Sequence, residues 1–406
     1  MRTFAKRLSA ESPKRAAFNP SDGLSLAEGE TVSLVYNPDL RMARLRAGVT
    51  RATAEHAGRW DDPELSLDVL KITESVPDQW VVGSAISLTL PVSGRLQAEK
   101  ARADAASEAE LARVAEAEWE VMRDLRLAWL NWSATSLRLE QTEQIVGALD
   151  SIIATTSQLA EQGELPKTEA ALFTIEQERR RAERDRQRGD LAEQEQQIRS
   201  LMGLSPSAPA RMTPSHSAVR EVSSRAEPDD SNPSLARLRR EYAVAEHTLL
   251  REIRKQYPDL VLGPQYESDQ DQSRIGLIGA IPIPILNSNK GGIATARAER
   301  EVAKAAYETE YERIVGRLAA QRARLQGVHA RRTRINQTLV PMVDRQMEDA
   351  RQLVELGEGG SLVLLESLVR AHEAKMELID IQLDHARAHN ESRFLLGPEG
   401  HRSTKK

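Results

Sequence analysis

Residues 275–299, IGLIGAIPIPILNSNKGGIATARAE, join an alternating apolar run to a glycine-containing turn and then to the start of an Ala-, Arg- and Glu-rich helix. Residues 82–103, VGSAISLTLPVSGRLQAEKARA, present the same features in the same order. Repetition at so long a period is the signature of a chain built from copies of one structural unit. The sequence therefore predicts two copies, each containing this strand, turn and helix.

The repetition extends over most of the chain. The Asn-Pro pair at 37–38 returns at 232–233, and the Gly-Glu pair at 163–164 returns at 357–358. We therefore expect a mainly α protein with a small β part, in which each copy contains a helix, two strands, a long helix, a short break and a second helix. The predicted divisions are an N-terminal extension (1–23), a first repeat (24–204), a Pro/Ser-rich linker (205–231), a second repeat (232–397) and a polar tail (398–406).

The bounds of the individual elements follow from periodicity, caps and breaks. The predicted helices cover about 27–57, 95–162, 233–256, 290–356 and 361–396, and a further helix has Pro166 in its first turn and runs to about 202. The predicted strands cover 64–73, 80–90, 258–267 and 274–285.

Apolar residues in the long helices recur every seven positions. Such spacing is typical of long helices packed side by side as coiled coils. The series in the first copy is Leu111, Leu125, Trp132, Leu139, Val146 and Ile153, interrupted by Glu118, and the series in the second copy is Tyr307, Ile314, Gln321, Val328, Ile335 and Met342.

The composition excludes several classes of function. The chain has no cysteine, which excludes disulfides, Cys-ligated zinc, thiol catalysis and a lipidated N-terminal Cys. The formal net charge of −5 gives little reason to expect nucleic acid as a partner. No segment is long and apolar enough for a transmembrane helix. Residues 1–23 lack the apolar core of a signal peptide, so we expect the true start upstream or a mature form of the chain.

The strands divide into an apolar and a more polar face. Trp80, Val82, Ile86, Leu88 and Leu90 alternate with smaller and more polar residues. About ten strand residues suffice to cross a bilayer, but four strands cannot close a barrel with a lumen. Three chains that pool their strands would supply twelve. On this pattern alone, two soluble hairpins packed on helices remain the favoured interpretation.

Several motifs together resemble the TolC-like outer-membrane efflux protein family. These are the tandem repeat, the helix start NPDL at 37–40, the strand pairs that end in Leu-Pro or Ile-Pro, and the Gly-Glu helix breaks. The resemblance covers about residues 24–397. The segments 162–183 and 357–388 most resemble the branch of the family that serves heavy-metal cation pumps.

This resemblance implies a homotrimer whose twelve strands form one transmembrane β-barrel in outer-membrane lipid, while its helices form an α-barrel that extends into the periplasm. It implies a passive exit duct for a tripartite efflux system, with no catalysis and no cofactor. The implied partners are a periplasmic adaptor (membrane fusion) protein and an inner-membrane RND-type pump, and heavy-metal cations are the implied cargo. The alternative is a soluble coiled-coil scaffold or periplasmic adaptor without a membrane barrel.

The resemblance also implies positions for functional residues. The helix breaks should form adaptor-binding tips, and two acidic residues repeated by threefold symmetry could form rings at the pore aperture that select cations. The tip residues are Gly163, Glu164, Leu165, Gly357, Gly359, Gly360 and Leu362, and the aperture residues are Glu355 and Glu358.

Three further groups of residues have predicted roles. Trp60, Trp80, Tyr257 and Tyr266 flank the strands and suit a membrane-interface girdle, although packing without lipid would explain them equally well. His385 and His389 are spaced to share a metal ion but lack a third ligand, so surface histidines are the favoured interpretation. We expect His372 to be packed in an apolar stripe, and the run ERRRAERDRQR (178–188) to be a solvated helix face.

Overall fold

The structure, a computed structural model, describes residues 23–71, 73, 80–215, 227–229, 231–269, 272–284, 287–355 and 360–398. In order, the chain forms α1 (Leu26–Tyr36), α2 (Pro38–His56), β1 (Glu64–Lys71), β2 (Trp80–Leu90), α3 (Arg95–Gln162), α4 (Lys167–Leu201), α5 (Pro233–Arg254), β3 (Leu260–Asp269), β4 (Gln272–Ala280), α6 (Lys290–Arg334), a π-helical turn (Ile335–Leu339), α7 (Val340–Glu355) and α8 (Ser361–Leu396). This is the predicted mainly α fold, and in both copies a pair of strands follows a helix and precedes the long helices.

The single helix predicted at 27–57 is wrong, because the chain breaks at Asn37. A capping box at Ser25 and Glu28 starts α1. The side-chain oxygen of Asn37 then accepts the backbone N–H groups of Asp39 and Leu40 at 2.9 and 3.1 Å, which starts α2. Pro38 takes the first position of α2, where its missing N–H has no intrahelical partner to lose.

The long helix α3 begins and ends where the sequence predicts, and Gly163 terminates it. This glycine has φ +80°, a conformation that other residues adopt with strain. In the second copy the corresponding helix is not continuous. The π-helical turn at Ile335–Leu339 separates α6 from α7, and the next buried residue after Ile335 is Val343.

That turn corrects the predicted heptad. Ile335 is buried as expected, but Met342, seven residues later, is 59% exposed, and its neighbour Val343 is buried instead. A π-turn inserts one extra residue into the helical ladder and so moves the apolar stripe by one position. Leu111, the first residue of the other series, is also exposed.

The four strands form one antiparallel sheet in the order β1-β2-β3-β4. Val69 pairs with Val82, Ser84 with Tyr266, and Tyr266 with Ile275. The first and last strands of the sheet are therefore β1 and β4. Each copy contributes one hairpin to this sheet, as the repeat predicts.

The chain divides into two compact units. We call Met42–Glu116 with Pro233–Glu312 the strand-bearing unit, and the rest of the described chain the helical unit. A buried cluster of the helical unit surrounds Trp129, whose ring lies 5.8 Å from that of Trp132. The cluster comprises Leu24, Leu26, Val32, Leu125, Trp129, Trp132, Ile198, Met202 and Ala210.

Candidate functional site

The sheet has one face of large apolar side chains, which we call the apolar face. Because neighbouring strands keep their pairing register, residues that alternate along each strand come to the same side. Serine interrupts the face at Ser84, and polar residues occupy its end near the two hairpin connections. The apolar face comprises Leu65, Leu67, Val69, Val82, Ile86, Leu88, Leu260, Leu262, Ile275 and Leu277.

Much of this apolar face is open to solvent in the single chain. Ile275 and Leu277 on β4 are 86% and 87% exposed, and Leu65, Leu67 and Val69 on β1 are also exposed. A contiguous exposed apolar surface of this kind marks contact with lipid or with another protein.

The opposite face, which we call the polar face, carries most of the charged and hydrogen-bonding groups of the sheet. On it, Arg274 forms ion pairs with Glu267 and Asp269 at 3.2 and 3.4 Å. The polar residues of this face are Glu64, Ser66, Asp68, Ser87, Thr89, Gln265, Glu267, Asp269, Gln272 and Arg274. Four carboxylates and one guanidinium give it an acidic balance.

The predicted girdle aromatics lie at different levels of this sheet. Trp80 begins β2, and Tyr266 lies within β3, where its hydroxyl is 3.0 Å from that of Ser273. Trp60 and Tyr257 lie outside the strands, before β1 and β3. All four side chains are exposed. Their role at a membrane interface stays a prediction.

The two turns that lead from strand to helix differ in the side-chain hydrogen bonds that hold them. In the first copy, Asp259 accepts the backbone N–H of Ser93 at 3.2 Å and Nε of Arg95 at 2.9 Å. In the second copy, Glu252 accepts the side-chain amide of Asn289 at 2.9 Å.

Glu252 is held ionised by its surroundings. Desolvation raises the pKa of its carboxyl, but hydrogen bonds from Lys255, Asn289 and Arg251 outweigh desolvation and lower the pKa to about 2. The sequence predicts a turn at NSNKGG (287–292), but no local sequence signal indicates its carboxylate partner, which lies on α5, before the two strands.

The predicted tip residues fall at helix ends where the structure describes them. Gly163 and Glu164 are exposed in the connection between α3 and α4, and Leu165 is half-buried. Gly360 precedes α8, and Leu362 is exposed in its first turn. The expected tip residues Gly357 and Gly359 and the aperture residue Glu358 lie outside the described residues. Glu355 is the last residue of α7, and its side chain also lies outside them.

His385 and His389 are brought together as the spacing predicts. Their rings lie 4.5 Å apart in an edge-to-face arrangement, and both are half-buried. Nearby Asp384 forms an ion pair with Arg324 at 3.3 Å. No group of three or more His, Cys, Asp or Glu side chains is arranged to hold a metal ion in the part of the chain that the structure describes.

Most of the charged run 178–188 is exposed or partly exposed, as the sequence predicts, but Arg180 and Gln187 within it are buried. The Arg180 side chain is only 7% exposed, and it forms ion pairs with Glu176 and Glu183 at 2.7 and 2.8 Å. His372 on α8 is buried, and its Nε2 atom has no hydrogen-bond partner among the described residues. Desolvation, followed by the charge of Arg180, lowers the pKa of His372 to about 4.

Comparisons with known proteins agree on one fold. Residues 32–204 match the model of the family described as outer membrane efflux protein. The structure of the outer membrane protein VceC from Vibrio cholerae aligns with a TM-score of 0.77 at 16% identity, over 92% of this chain and 96% of that one. CusC aligns at 0.76 and 16% identity, over 92% of both chains. The CmeC outer membrane channel of Campylobacter jejuni aligns at 0.73 and 12% identity, over 96% of this chain and 90% of that one.

No match was found among curated protein sequences. Of the helices in the described residues, none combines the length and apolar character needed to cross a membrane. The family match in the first repeat, together with a channel fold that extends over both repeats, confirms the resemblance of this chain to the outer membrane efflux protein family.

Proposed function

We propose that the protein is an outer-membrane channel, the exit duct of an efflux system, and that three copies form it. The observation that carries this proposal is the sheet with one exposed apolar face and one polar face. A membrane barrel needs lipid-facing and lumen-facing residues to alternate in this way. The family match and the fold of the aligned outer-membrane proteins support the outer membrane as its location.

The strand count supports a trimer. The strands contain 8, 11, 10 and 9 residues, close to the 9–11 that a tilted transmembrane strand needs. An open sheet edge in lipid leaves backbone N–H and C=O groups without partners, at a cost of several kcal/mol each. Pairing β4 of one copy with β1 of the next removes both edges, and three copies give a closed barrel of twelve strands. The polar face then lines the lumen.

We also propose a periplasmic adaptor protein and an inner-membrane RND-type pump as partners. The exposed glycines and apolar residues at the two helix breaks, Gly163 and Leu362 among them, support adaptor contact. The channel itself would be a passive conduit, because energy would enter at the pump. The acidic balance of the polar face supports cation cargo, since rings of carboxylates attract cations into a pore.

The first experiment tests the membrane barrel with a matched pair of substitutions. Leu277→Arg changes the apolar face, and Gln265→Arg changes the polar face of the neighbouring strand. An arginine on the lipid side of a barrel costs about 2–4 kcal/mol near the bilayer midplane. We therefore expect Leu277→Arg to reduce assembly in outer-membrane fractions of an exported protein, while Gln265→Arg assembles and lowers cation conductance in planar bilayers.

Two outcomes would contradict the channel. One is an exported wild-type protein that remains a water-soluble single chain and never migrates as a heat-modifiable oligomer, which is the behaviour of the scaffold alternative. The other is equal tolerance of arginine at both positions.

The adaptor proposal has its own test. Leu362→Asp at the helix break should reduce site-specific crosslinking to the adaptor, while conductance of the purified channel stays unchanged. Thr338→Asp, an exposed position far along the chain from the break, is the control. Undiminished crosslinking in Leu362→Asp would remove this residue from the contact.

A further inference from the structure

Two histidines lie together near the end of α8, in the helical unit. His385 and His389 are four residues apart, a spacing that places both side chains on one face of the helix. Their ring centroids lie 4.5 Å apart, and the two ring planes meet at 64°. Both residues are half-buried. The structure thus holds two imidazoles side by side at a position that is partly shielded from solvent.

The ring spacing fits two imidazoles that bind one metal ion at a right angle. Metal–nitrogen bonds of about 2.0–2.1 Å would put the centroids of two such rings about 4.5 Å apart. Ligands at a tetrahedral angle would put the centroids about 5.1 Å apart, which is wider than the spacing in this structure. Right angles between nitrogen ligands are typical of tetragonal Cu(II) and Ni(II) sites, whereas structural zinc sites are tetrahedral. The geometry therefore favours copper or nickel over zinc.

Contacts to two other helices hold the turn of α8 that carries the histidines. Arg387 donates two hydrogen bonds to the side-chain oxygen of Asn131 on α3, the shorter at 2.7 Å. Asp384 forms an ion pair with Arg324 on α6 at 3.3 Å. A pair of ligands on a helix that its neighbours already hold in place loses little conformational freedom when it binds a metal ion.

The two imidazoles would be the protein's whole contribution to such a site. Asp384 precedes His385 by one position, and adjacent residues do not share a face of a helix. Its carboxylate is also occupied by Arg324 and, at 3.9 Å, by Arg387. Among the described residues, no third His, Asp or Glu completes a metal-binding group with the pair. Water molecules would therefore take the remaining positions around the ion.

We propose that His385 and His389 form a binding site for Cu(II), which also takes Ni(II) less tightly. Imidazole nitrogen suits both ions, and Cu(II) binds a given nitrogen site more tightly than the other divalent ions of the first transition row. This site goes beyond the proposed channel and does not depend on it, because the ion is a ligand of the chain rather than its cargo. Binding joins two successive turns of α8, so it should stabilise the folded chain.

Electron paramagnetic resonance of the purified full chain, prepared without a histidine tag, tests the ligand set. With one equivalent of Cu(II), we expect the spectrum of a single tetragonal site that is coupled to two imidazole nitrogens. The coupling pattern should change when the chain is labelled with 15N-histidine. The chain has no cysteine, so thiolates cannot compete for the ion. Coupling to one imidazole only, or a mixture of sites, would overturn the proposal.

Substitutions separate the pair from single histidines. His385→Gln and His389→Gln should each weaken Cu(II) binding at least tenfold in calorimetric titrations, because the remaining imidazole loses its partner on the same ion. His329→Gln removes an exposed histidine of α6 and is the matched control. We expect this control and Asp384→Asn to keep the wild-type affinity within about twofold. Equal affinity in the wild type and in both variants of the pair would show that Cu(II) binds elsewhere.

Thermal unfolding gives a second measurement and shows whether each variant folds. Cu(II) should raise the unfolding midpoint of the wild type and of His329→Gln, but not the midpoint of His385→Gln or His389→Gln. If one variant of the pair does not fold, the other variant and the wild-type spectrum decide. An unchanged midpoint in the Cu(II)-loaded wild type would contradict a site that joins two turns of the folded helix. The channel is tested separately, because its assembly and conductance are measured without Cu(II).

Discussion

The two repeats agree at the contacts that join the first helices of each repeat to its end, which we call the closures. They differ along their long helices, which we call the straight parts. At the closures, the Asn37 amide donates to the backbone oxygen of Leu201, and the Asn232 amide donates to that of Leu395, each at 2.9 Å. Gly203 and Gly397 lie beside these asparagines with φ +67° and +90°. The closure depends on backbone geometry, which few residues satisfy, so that both copies contain the same pair.

The second helices of the two repeats show how far the straight parts diverge. The buried positions of α4 include the polar Gln177, Arg180 and Gln187, whereas those of α8 are mostly Leu, Ile and Ala. A helix face needs only complementary neighbours, so many side chains satisfy it. Function that differs between the copies is therefore expected along the helices rather than at the closures.

The largest expected effect tests whether the two closures are equally tight. A Cβ atom on Gly203 would lie 2.1 Å from the backbone oxygen of Tyr36, and one on Gly397 would lie 2.8 Å from the backbone oxygen of Ser231. Since both also have positive φ, we expect Gly203→Ala to cost about 3 kcal/mol or more and Gly397→Ala about 2 kcal/mol. Denaturant unfolding of the detergent-solubilised protein measures both.

Gly189→Ala is the matched control, because Gly189 lies within α4 and a Cβ there meets no atom of the described residues within 4 Å. It should stabilise the helix by about 0.5–1 kcal/mol. If Gly203→Ala behaved like this control, the closure would not require glycine.

The next prediction concerns His372 on α8, in the straight part of the second repeat, and the pH dependence of the free energy of unfolding. The pKa of His372 falls from 6.5 in the unfolded chain to about 4 in the folded one, so the folded state holds this histidine neutral. The contribution of neutral His372 to the free energy of unfolding is therefore fully present above pH 6.5. It is lost as pH falls toward 4, because the unfolded chain then binds a proton that the folded chain does not. The loss approaches about 3 kcal/mol at most.

The charged groups that act on His372 are Arg180, Glu183, Glu176 and Lys375. His372→Leu should flatten the decline of thermal stability between pH 6.5 and 4, and His329→Leu, at an exposed position, should leave it in place. A pH profile that is identical in the wild type and His372→Leu would show that burial does not control this histidine.

The sequence predicts the repeating features of the molecule and misses the singular ones. The bounds of α3 and the two faces of β2 follow from caps and alternation, which are local signals. The π-turn before α7 leaves no such signal, because the seven-residue spacing of apolar residues continues from Ile335 to Met342. Burial of Arg180 was missed because it depends on ion pairs and on the helix that covers it. A run of charged residues on a helix indicates a solvated face.

A smaller effect tests the asparagines of the two closures. Asn37→Ala should remove both the cap of α2 and the bond to Leu201, at a cost of about 1–3 kcal/mol. Asn37→Asp retains an oxygen for the cap but loses the amide donor, so that it isolates the bond to Leu201. Asn232→Ala should cost a similar amount if the two closures are equivalent. A cost confined to one of the two, in the same unfolding measurement, would break that equivalence.

The smallest effect locates the π-turn, the feature of the second repeat that the continuous α3 lacks. Val343 is buried and Met342 is exposed, so Val343→Ala should cost about 1–2 kcal/mol and Met342→Ala no more than about 0.5 kcal/mol. Unfolding midpoints of the two variants, compared with Leu139→Ala in α3, measure the difference. An uninterrupted heptad would reverse the order of the two costs, because residue 342 lies seven positions after buried Ile335. The order of these two values therefore decides whether the long helices of the two repeats pack in the same phase or are shifted by one residue.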